Sequence, residues 1–318
     1  MMTTEPTHTP VLLAEAITQL VQIPTGTYID GTFGGGGHSR YLLEHFPQAS
    51  IVAFDRDPAA ITRAVHMQRE FGVNRLQIVQ APFADMQMVV SQLGTGAVAG
   101  ILLDLGYSSF QIDDPRRGFA FRTDGPLDMR FDPTTGPSAV ELLATLDEAE
   151  LADVIWRYGD ERRSRAIARA IVARRETDPV HTTRQLAELV AHIVGHQSGR
   201  GHPATRTFQA VRIAVNKELE QLERVLANAA PILVEGGRLV VISFHSLEDR
   251  MTKQFMASAS ATCLCPPEQI VCTCQTVPAF RRVGRAIRPS ASEGTANPRS
   301  RSAVMRVAER INVSPGAS

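Results

Sequence analysis

The stretch Thr27-Tyr-Ile-Asp-Gly-Thr-Phe-Gly-Gly-Gly-Gly-His-Ser39 joins a short predicted strand to a predicted helix through a glycine-rich turn. The strand, centred on Tyr28 and Ile29, ends at an acid, Asp30. Five of the seven residues from Gly31 to Gly37 are glycine, and a helical pattern begins near Ser39. Glycines let a ligand approach bare backbone, and a helix N-terminus directs free N–H groups at it. The turn therefore predicts a site for a nucleotide-like ligand.

The spacing of the glycines narrows the class of ligand. A dinucleotide fingerprint needs a third glycine or alanine, but that position falls on Ser39 when counted from Gly34 and on Arg40 when counted from Gly35. An acid at the strand end followed by glycines is typical of the S-adenosylmethionine-binding form of this fold, in which the helix N-terminus can face the methionine carboxylate. The sequence thus predicts S-adenosyl-L-methionine as the cofactor.

Strand and helix patterns alternate around this turn, which predicts an α/β fold with a mostly parallel, doubly wound sheet. Together with the S-adenosylmethionine-type turn, this predicts a Rossmann-like fold of the class I methyltransferase type. Thr9 and Pro10 predict an N-cap and first residue of a leading helix. The predicted strands are Thr27–Asp30, Ser50–Asp55, Leu76–Gln80, Gly100–Leu105 and Gly237–Phe244, with Ser302–Val307 as an edge strand, and the predicted helices between the first three are Ser39–His45 and Pro58–Phe71.

The alternation breaks near Gln111, and a region of helical patterns follows. We expect a discontinuous cofactor-binding domain, residues 1–110 and 220–318, interrupted by an inserted all-helical substrate-recognition domain, residues 111–219, of ordinary domain size. The predicted helices of this region are Ser138–Leu143, Asp147–Tyr158, Asp160–Glu176, Thr183–Val194 and one long helix from Thr205 to Ala229.

Two more strand ends carry candidate cofactor contacts. The second strand ends at Asp55, where a doubly wound fold places an acid against ribose hydroxyls. The third is followed by Phe83, which suits an apolar wall against adenine. Alone, Asp55 is equally a turn acid and Phe83 a core aromatic. Together, at successive strand ends of one sheet, they favour a cofactor site.

The fourth strand places Asp104 at its carboxyl end, the edge at which open α/β sheets bind ligands. An acid followed by a tight turn and an aromatic, Tyr107, is similar to the Asp-Pro-Pro-Tyr motif of amino-group methyltransferases. A carboxylate that accepts an N–H bond from a base amine localises its lone pair and stabilises the charge that develops on nitrogen. Tyr107 suits stacking on an extruded base. The alternative, that Asp104 binds only cofactor and Tyr107 only packs, stays open.

Net charge and hydrophobic patterning argue against some classes of protein. The 318 residues carry a formal net charge of zero, which disfavours a generic polyanion binder. No apolar run reaches the roughly 18 residues that span a membrane, and the N-terminus lacks the pattern of a signal peptide. We therefore expect a cytoplasmic protein with no membrane partner.

The motifs of the chain resemble those of the ribosomal small-subunit methyltransferase H family over nearly its whole length. The resemblance is carried by His8-Thr-Pro-Val-Leu-Leu-Ala-Glu-Ala16, Tyr28-Ile-Asp-Gly-Thr-Phe-Gly34, Gly36-Gly-His-Ser39, Asp55-Arg-Asp-Pro58, Ile101-Leu-Leu-Asp-Leu-Gly106, Asp124-Gly-Pro-Leu-Asp-Met-Arg130, Tyr158-Gly-Asp-Glu-Arg162, His202-Pro-Ala-Thr-Arg-Thr-Phe-Gln-Ala-Val-Arg-Ile213, Ile242-Ser-Phe-His-Ser-Leu-Glu-Asp-Arg250 and Asn297-Pro-Arg-Ser-Arg-Ser-Ala303.

This resemblance implies methylation of N4 of a cytosine in the decoding region of 16S rRNA, within the small ribosomal subunit. It also implies an inserted helical domain. Tyr107 departs from the family, which more often has a small aliphatic residue there. The family also lacks the Pro-Pro of the amino-methyltransferase motif, which leaves open whether Asp104 serves the amine or only the cofactor. The implied cofactor contacts are Gly36, Gly37, His38, Asp55, Phe83, Asp104 and Gln111.

Other candidates concern the substrate. His245 and Ser246 follow the fifth strand, and His245 is a candidate to hydrogen-bond the base or relay its proton; a histidine that merely caps the next helix is the alternative. Arginines predicted to contact rRNA phosphates are Arg162, Arg165, Arg169, Arg206 and Arg212, near Asn216, together with the basic segment from Arg281 to Arg310, which holds eight arginines and two acids.

The four cysteines, Cys263, Cys265, Cys272 and Cys274, lie within twelve residues in a C-x-C, C-x-C pattern. Four thiolates can bind a structural zinc, but the one-residue spacing is tighter than the usual two. The sequence therefore assigns no metal and leaves zinc open.

Two rival functions remain at this stage. One is the same cofactor chemistry on DNA or a small molecule, which zero net charge and the helical insert disfavour. The other is a ribosome-assembly factor with a vestigial cofactor site, against which the intact set of Asp30, Asp55 and Asp104 argues. The sequence also leaves a homodimer open.

Overall fold

A computed structural model of the protein describes residues 10–195, 201–266, 269, 271, 273–274 and 276–312. Contacts divide the chain into two compact units. Unit 1 comprises Met1–Gly106 and Glu220–Ser318, and unit 2 comprises Tyr107–Leu219.

Unit 1 is built on a sheet that has seven strands within the described residues, in the order β3-β2-β1-β4-β5-β7-β6. The first five strands pair in parallel, whereas β7 is antiparallel to both β5 and β6. The predicted α/β class and parallel sheet are confirmed. The strands are β1 Thr27–Asp30, β2 Ser50–Asp55, β3 Leu76–Gln80, β4 Val98–Asp104, β5 Leu233–Ser243, β6 Phe280–Arg282 and β7 Val304–Arg310.

The described helices follow in chain order. They are α1 Leu13–Leu20, α2 Gly37–His45, α3 Pro58–Phe71, α4 Met86–Leu93, α5 Ser109–Asp113, α6 Ala139–Thr145, α7 Glu148–Gly159, α8 Ser164–Arg174, α9 Thr183–Val194, α10 Thr205–Asn216, α11 Glu218–Ile232, α12 Ser246–Ala259 and α13 Ala291–Ala296.

Successive strand residues point to opposite faces of the sheet, and helices bury both faces. Helices α1, α2 and α3 cover one face, and α4, α11 and α12 cover the other. The chain is therefore doubly wound, as its near-continuous apolar strands predict. The first face includes Tyr28, Ile51, Leu102, Val240 and Ile242, and the second includes Ile29, Val52, Ile101, Leu103 and Val241.

Unit 2 is helical and has its own apolar core. Ser138, Asp147 and Thr182 each accept a hydrogen bond from the backbone three residues on and so cap α6, α7 and α9. The core is formed chiefly by Leu143, Leu151, Ile155, Ile167, Ile171, Leu186, Val190 and Val211.

Three local predictions are wrong. The long helix from Thr205 is two helices, because Lys217 adopts a left-handed conformation with φ 52° and ends α10. The edge strand is β6, whereas β7 lies between β5 and β6. The first helix begins at Leu13 rather than Pro10, since Leu12 is also left-handed, with φ 53°; Thr9, its predicted cap, lies outside the described residues.

No helix among the described residues is both long enough and apolar enough to cross a lipid bilayer.

Candidate active site

The site lies where the strand order reverses, between β1 and β4. Asp30 is the last residue of β1 and pairs in register with Leu102, so β4 extends two residues further and ends at Asp104. Open α/β sheets bind ligands at this switch point, outside the carboxyl ends of the strands. The two acids that end β1 and β4 therefore border the crevice that the sequence predicts.

Asp30 shapes the glycine turn. It is 5 % exposed, and its carboxylate accepts the Ser39 hydroxyl at 2.6 Å and the Thr32 N–H at 3.1 Å. Burial raises its pKa to about 6, against the effect of these bonds. Because both partners belong to the turn or to α2, Asp30 ties the strand end to the helix start.

The turn needs glycine for conformation and for space. Gly36 is the N-cap of α2 with φ +75°, and a Cβ there would lie 2.4 Å from the Phe33 ring and 2.5 Å from the Met67 methyl group. A Cβ on Gly37 would lie 2.2 Å from Pro10. No side chain of the described residues caps α2, so the N–H groups of its first turn can bind an anionic ligand group.

Asp55, at the end of β2, stands beside the same turn. Its carboxylate accepts the Gly34 N–H at 2.7 Å and the Asp57 N–H at 2.9 Å. Burial raises its pKa. Each carboxylate oxygen can accept a second hydrogen bond, so Asp55 can bind a ribose hydroxyl while it holds the turn.

His38 and Asp104 face each other across the switch point. His38 Nδ1 lies 3.7 Å from Asp104 Oδ2, and Nε2 lies 3.2 Å from the Val11 carbonyl oxygen. A carbonyl oxygen only accepts, so the ring proton belongs on Nε2 and leaves Nδ1 as an acceptor. Burial lowers the pKa of His38 to about 4, which keeps the imidazole neutral near pH 7. His38 Nδ1 and Asp104 Oδ2 are therefore two hydrogen-bond acceptors that face each other.

Asp104 has an unsatisfied carboxylate oxygen. Its Oδ1 is buried and has no hydrogen-bond partner among the residues that the structure describes. Burial, followed by the negative charges of Asp30 and Glu248, raises its pKa well above the usual range. The Thr32 hydroxyl accepts the Asp104 backbone N–H at 2.7 Å. Sequence reasoning missed this role of Thr32, for which the only local indication is a hydroxyl two residues after a strand-terminal acid.

Phe83 follows β3 and begins a short 3₁₀ helix, Phe83–Asp85. It is half-buried and packs against the second-face core. A Cβ added to Gly31 would lie 3.2 Å from the Phe83 Cβ, so the aromatic residue adjoins the start of the glycine turn.

His245 is the N-cap residue of α12. Its Nε2 lies 3.1 Å from Glu248 Oε1, and Glu248 also accepts the Phe244 N–H at 2.9 Å. The histidine thus has the capping position that was predicted as its alternative role. Glu248, which sequence reasoning missed, is 2 % exposed and precedes no strand end or glycine turn that would have marked it.

Tyr107 and Gln111 belong to unit 2. The Arg212 guanidinium lies 4.9 Å from the centroid of the Tyr107 ring, and Phe119 lies 6.0 Å from it, centroid to centroid. Gln111 is buried, and its side-chain oxygen accepts the Ser108 N–H at 2.8 Å in the capping box of α5. Tyr107 is thus in contact with a cation, and Gln111 positions its own helix.

The predicted phosphate-binding arginines divide into buried and exposed groups. Arg212 is buried and bound to Glu218 through two hydrogen bonds of 2.8 and 3.0 Å, so it is not a surface cation. Asn216 is likewise buried and binds the backbone of Met129 and Phe131. Exposed arginines of the predicted set include Arg162, Arg165, Arg169, Arg206, Arg282, Arg285 and Arg288.

In the C-terminal basic segment, some arginines form hydrogen bonds within unit 1. Arg306 binds Asp249 at 2.7 and 3.1 Å, and Arg310 donates to the carbonyl oxygens of Ala230 and Ala279. The phosphate-binding prediction is therefore confined to the exposed members of this segment.

The chain is similar to ribosomal RNA methyltransferases over nearly its whole length. The family model described as the MraW methylase family matches residues 5–311. A ribosomal RNA small subunit methyltransferase H from Thermomicrobium roseum is 52% identical, with 96% of this chain and 94% of that protein covered. Its namesake from Methylibium petroleiphilum is 50% identical, with 96% of each covered.

Among solved structures, one described as a putative rRNA-methylase from Clostridium thermocellum aligns with a TM-score of 0.44 and 11% identity, over 96% of this chain and 100% of that one. A similarity at this level carries no argument.

Proposed function

The chain belongs to the MraW methylase family, and we propose that it is an S-adenosyl-L-methionine-dependent methyltransferase of the exocyclic N4 amine of a cytidine in the decoding region of 16S rRNA. The names of its relatives support the small-subunit rRNA as substrate. The observation that carries the proposal is the Asp104 carboxylate at the switch point of the sheet: its buried Oδ1 has no hydrogen-bond partner among the described residues, and its Oδ2 lies 3.7 Å from Nδ1 of neutral His38.

The residues present fit the cofactor. S-adenosyl-L-methionine offers an ammonium group, whose N–H donors Asp104 and His38 Nδ1 can accept, and a sulfonium, whose positive charge the Asp104 carboxylate can stabilise. The uncapped first turn of α2, with Gly36 and Gly37 at its start, suits its carboxylate. We propose Gly36, Gly37, His38, Asp55, Phe83, Asp104 and Gln111 as its binding residues.

S-adenosyl-L-methionine supplies an electrophilic methyl group on a sulfonium. Asp104 accepts an N–H bond from the cytosine amine and so localises the nitrogen lone pair, which is otherwise delocalised into the ring. As nitrogen becomes tetrahedral and positive, the same carboxylate stabilises it. Positioning of the amine in line with the methyl group supplies the rest of the rate enhancement.

His245 and Tyr107 are proposed to act on the base. Glu248 Oε1 lies 3.1 Å from His245 Nε2 at the start of α12, which supports a role of the imidazole in hydrogen-bonding the cytosine or relaying its proton. Tyr107 is 37 % exposed, which leaves ring surface for stacking on the base.

The exposed arginines are proposed to contact phosphates of the rRNA, and residues 111–219 to recognise the substrate. The small ribosomal subunit is the proposed partner, and the cytoplasm the proposed compartment. Because phosphate contacts release counterions, RNA affinity is expected to fall steeply with salt.

The test is transfer of an isotopically labelled methyl group from S-adenosyl-L-methionine to small ribosomal subunits, to naked 16S rRNA and to duplex DNA. We expect label in the small subunits, in the naked rRNA, or in both, and none in DNA. Asp104→Asn, which keeps the size of the side chain, serves as the inactive control. Label in DNA alone, or in no substrate, would overturn the proposal.

A further inference from the structure

Three cysteine side chains that the proposed reaction does not use converge between α12 and β6. The Sγ atoms of Cys263, Cys265 and Cys274 all lie within 4.8 Å of one another, although Cys274 is eleven residues from Cys263 in the chain. None of the three forms a disulfide. We infer that these three thiols are ligands of a structural zinc ion.

The distances fit tetrahedral coordination. With a Zn–S bond of about 2.3 Å, two thiolates of a tetrahedral site lie about 3.8 Å apart. Cys263 Sγ and Cys274 Sγ are 3.8 Å apart. A disulfide would bring its sulfurs to about 2.05 Å, so the observed separation excludes a disulfide and matches the spacing of two ligands of one ion.

Hydrogen bonds to the sulfurs support the same role. The Cys265 N–H points at Cys263 Sγ, 3.4 Å away, and the Leu264 N–H points at Cys274 Sγ, 3.3 Å away. The Thr276 hydroxyl lies 3.0 Å from Cys274 Sγ. Donors aimed at sulfur stabilise the thiolate form that binds metal and orient its lone pairs. The backbone that links the close C-x-C pair thus supplies part of the outer shell.

The ligand set selects zinc on chemical grounds. Thiolates are soft ligands that disfavour magnesium and calcium, and a tetrahedral sulfur-rich site fits zinc or an iron–sulfur cluster. The three sulfur donors exclude a metal that prefers only oxygen ligands. Elemental analysis distinguishes iron from zinc. Cys272 lies outside the described residues and is not part of the inference.

The place of the cluster suggests what the ion does. The described residues between Ala259, the end of α12, and Phe280, the start of β6, form no helix or strand. Leu264, Val271 and Val277 in this stretch are more than half exposed, so the stretch has little apolar core of its own. A metal cross-link replaces that missing core, and it would hold the connection that leads into β6.

The test uses the full chain, purified in reductant without chelator, supplemented with zinc and desalted. Elemental analysis is expected to find about one zinc per chain in the wild type, and at least tenfold less in Cys263→Ser and in Cys274→Ser. Thr262→Ser, which changes the neighbouring residue but no sulfur, is the matched control and is expected to keep the zinc. Circular dichroism checks that each variant is folded.

Thiol reactivity provides a second readout that does not depend on the variants. In the zinc-loaded wild type we expect the cluster thiols to react with a disulfide reagent at least tenfold more slowly than after chelation. The inference is overturned if the wild type holds no more zinc than the serine variants. It is equally overturned if the wild type holds iron in place of zinc, or if its thiols react at the same rate before and after chelation.

Discussion

Replacing Gly36 by alanine is expected to weaken both the fold and cofactor binding. Gly36 is the N-cap of α2, with φ +75°, and a Cβ there would lie 2.4 Å from the Phe33 ring and 2.5 Å from the Met67 methyl group. Phe33 and Met67 are themselves buried. The new methyl group can therefore be accommodated only by a shift of the turn or of the core beneath it.

The cost has two parts. A non-glycine residue in the left-handed region costs about 1–2 kcal/mol, and overpacking of a buried site costs about 1–3 kcal/mol. We therefore expect Gly36→Ala to lower the free energy of unfolding by about 2–5 kcal/mol.

Gly94 offers a matched control. It follows α4 in the same left-handed conformation, with φ 63° and ψ 22°, but a Cβ there would meet no atom of the described residues within 4 Å. Gly94→Ala should therefore carry only the conformational cost of about 1–2 kcal/mol. The difference between the two variants isolates the packing cost of the turn.

The assays are denaturant unfolding and calorimetric binding of S-adenosyl-L-methionine. We expect Gly36→Ala to bind at least tenfold more weakly than wild type, a loss of about 1.4 kcal/mol, and Gly94→Ala to bind as wild type. If both variants are equally stable and bind the cofactor equally well, the turn is not the tightly packed cofactor element described above.

Three further predictions concern single contacts. Burial raises the pKa of Asp30 to about 6, so the stabilising contribution of the protonated carboxyl is complete below its unfolded pKa near 4 and is lost as pH rises through 6. In unfolding titrations, the free energy of unfolding of wild type should therefore fall by about 3 kcal/mol relative to that of Asp30→Asn over that window. A difference that does not change with pH would contradict this. Arg212→Met should cost about 3–5 kcal/mol because it leaves Glu218 buried without its cation, and in unfolding experiments the further change Glu218→Leu should restore most of it. Charge reversal of exposed Arg285 and Arg288 should weaken rRNA binding and flatten its salt dependence with no change in melting temperature; an unchanged salt slope would remove them from the interface.

The strands and the acids at their ends could be predicted because their determinants are local. β1, β2 and β3 have the predicted bounds, since apolar runs closed by an acid or a turn define short buried strands. Asp30 and Asp55 follow from those bounds, and Asp104 follows from the fourth predicted strand, together with the topology of a doubly wound sheet.

Contacts between distant segments could not be predicted. His38 in α2 owes its orientation to the carbonyl of Val11, and its partner Asp104 comes from the end of β4. Helical spacing also predicted Arg212 as a surface residue. The spacing does not reveal that the chain turns at Lys217 and so brings Glu218 into contact with Arg212. Such facts depend on tertiary packing.

The most direct test of the central claim is the identity of the methylated nucleoside. 16S rRNA from a methyl-transfer reaction with small subunits or naked rRNA is digested and separated by mass spectrometry, for wild type and for Asp104→Asn. The account predicts N4-methylcytidine with wild type and at least a hundredfold less with Asp104→Asn, a loss of about 3 kcal/mol of transition-state stabilisation. A different methylated nucleoside, or equal N4-methylcytidine from both proteins, would contradict it.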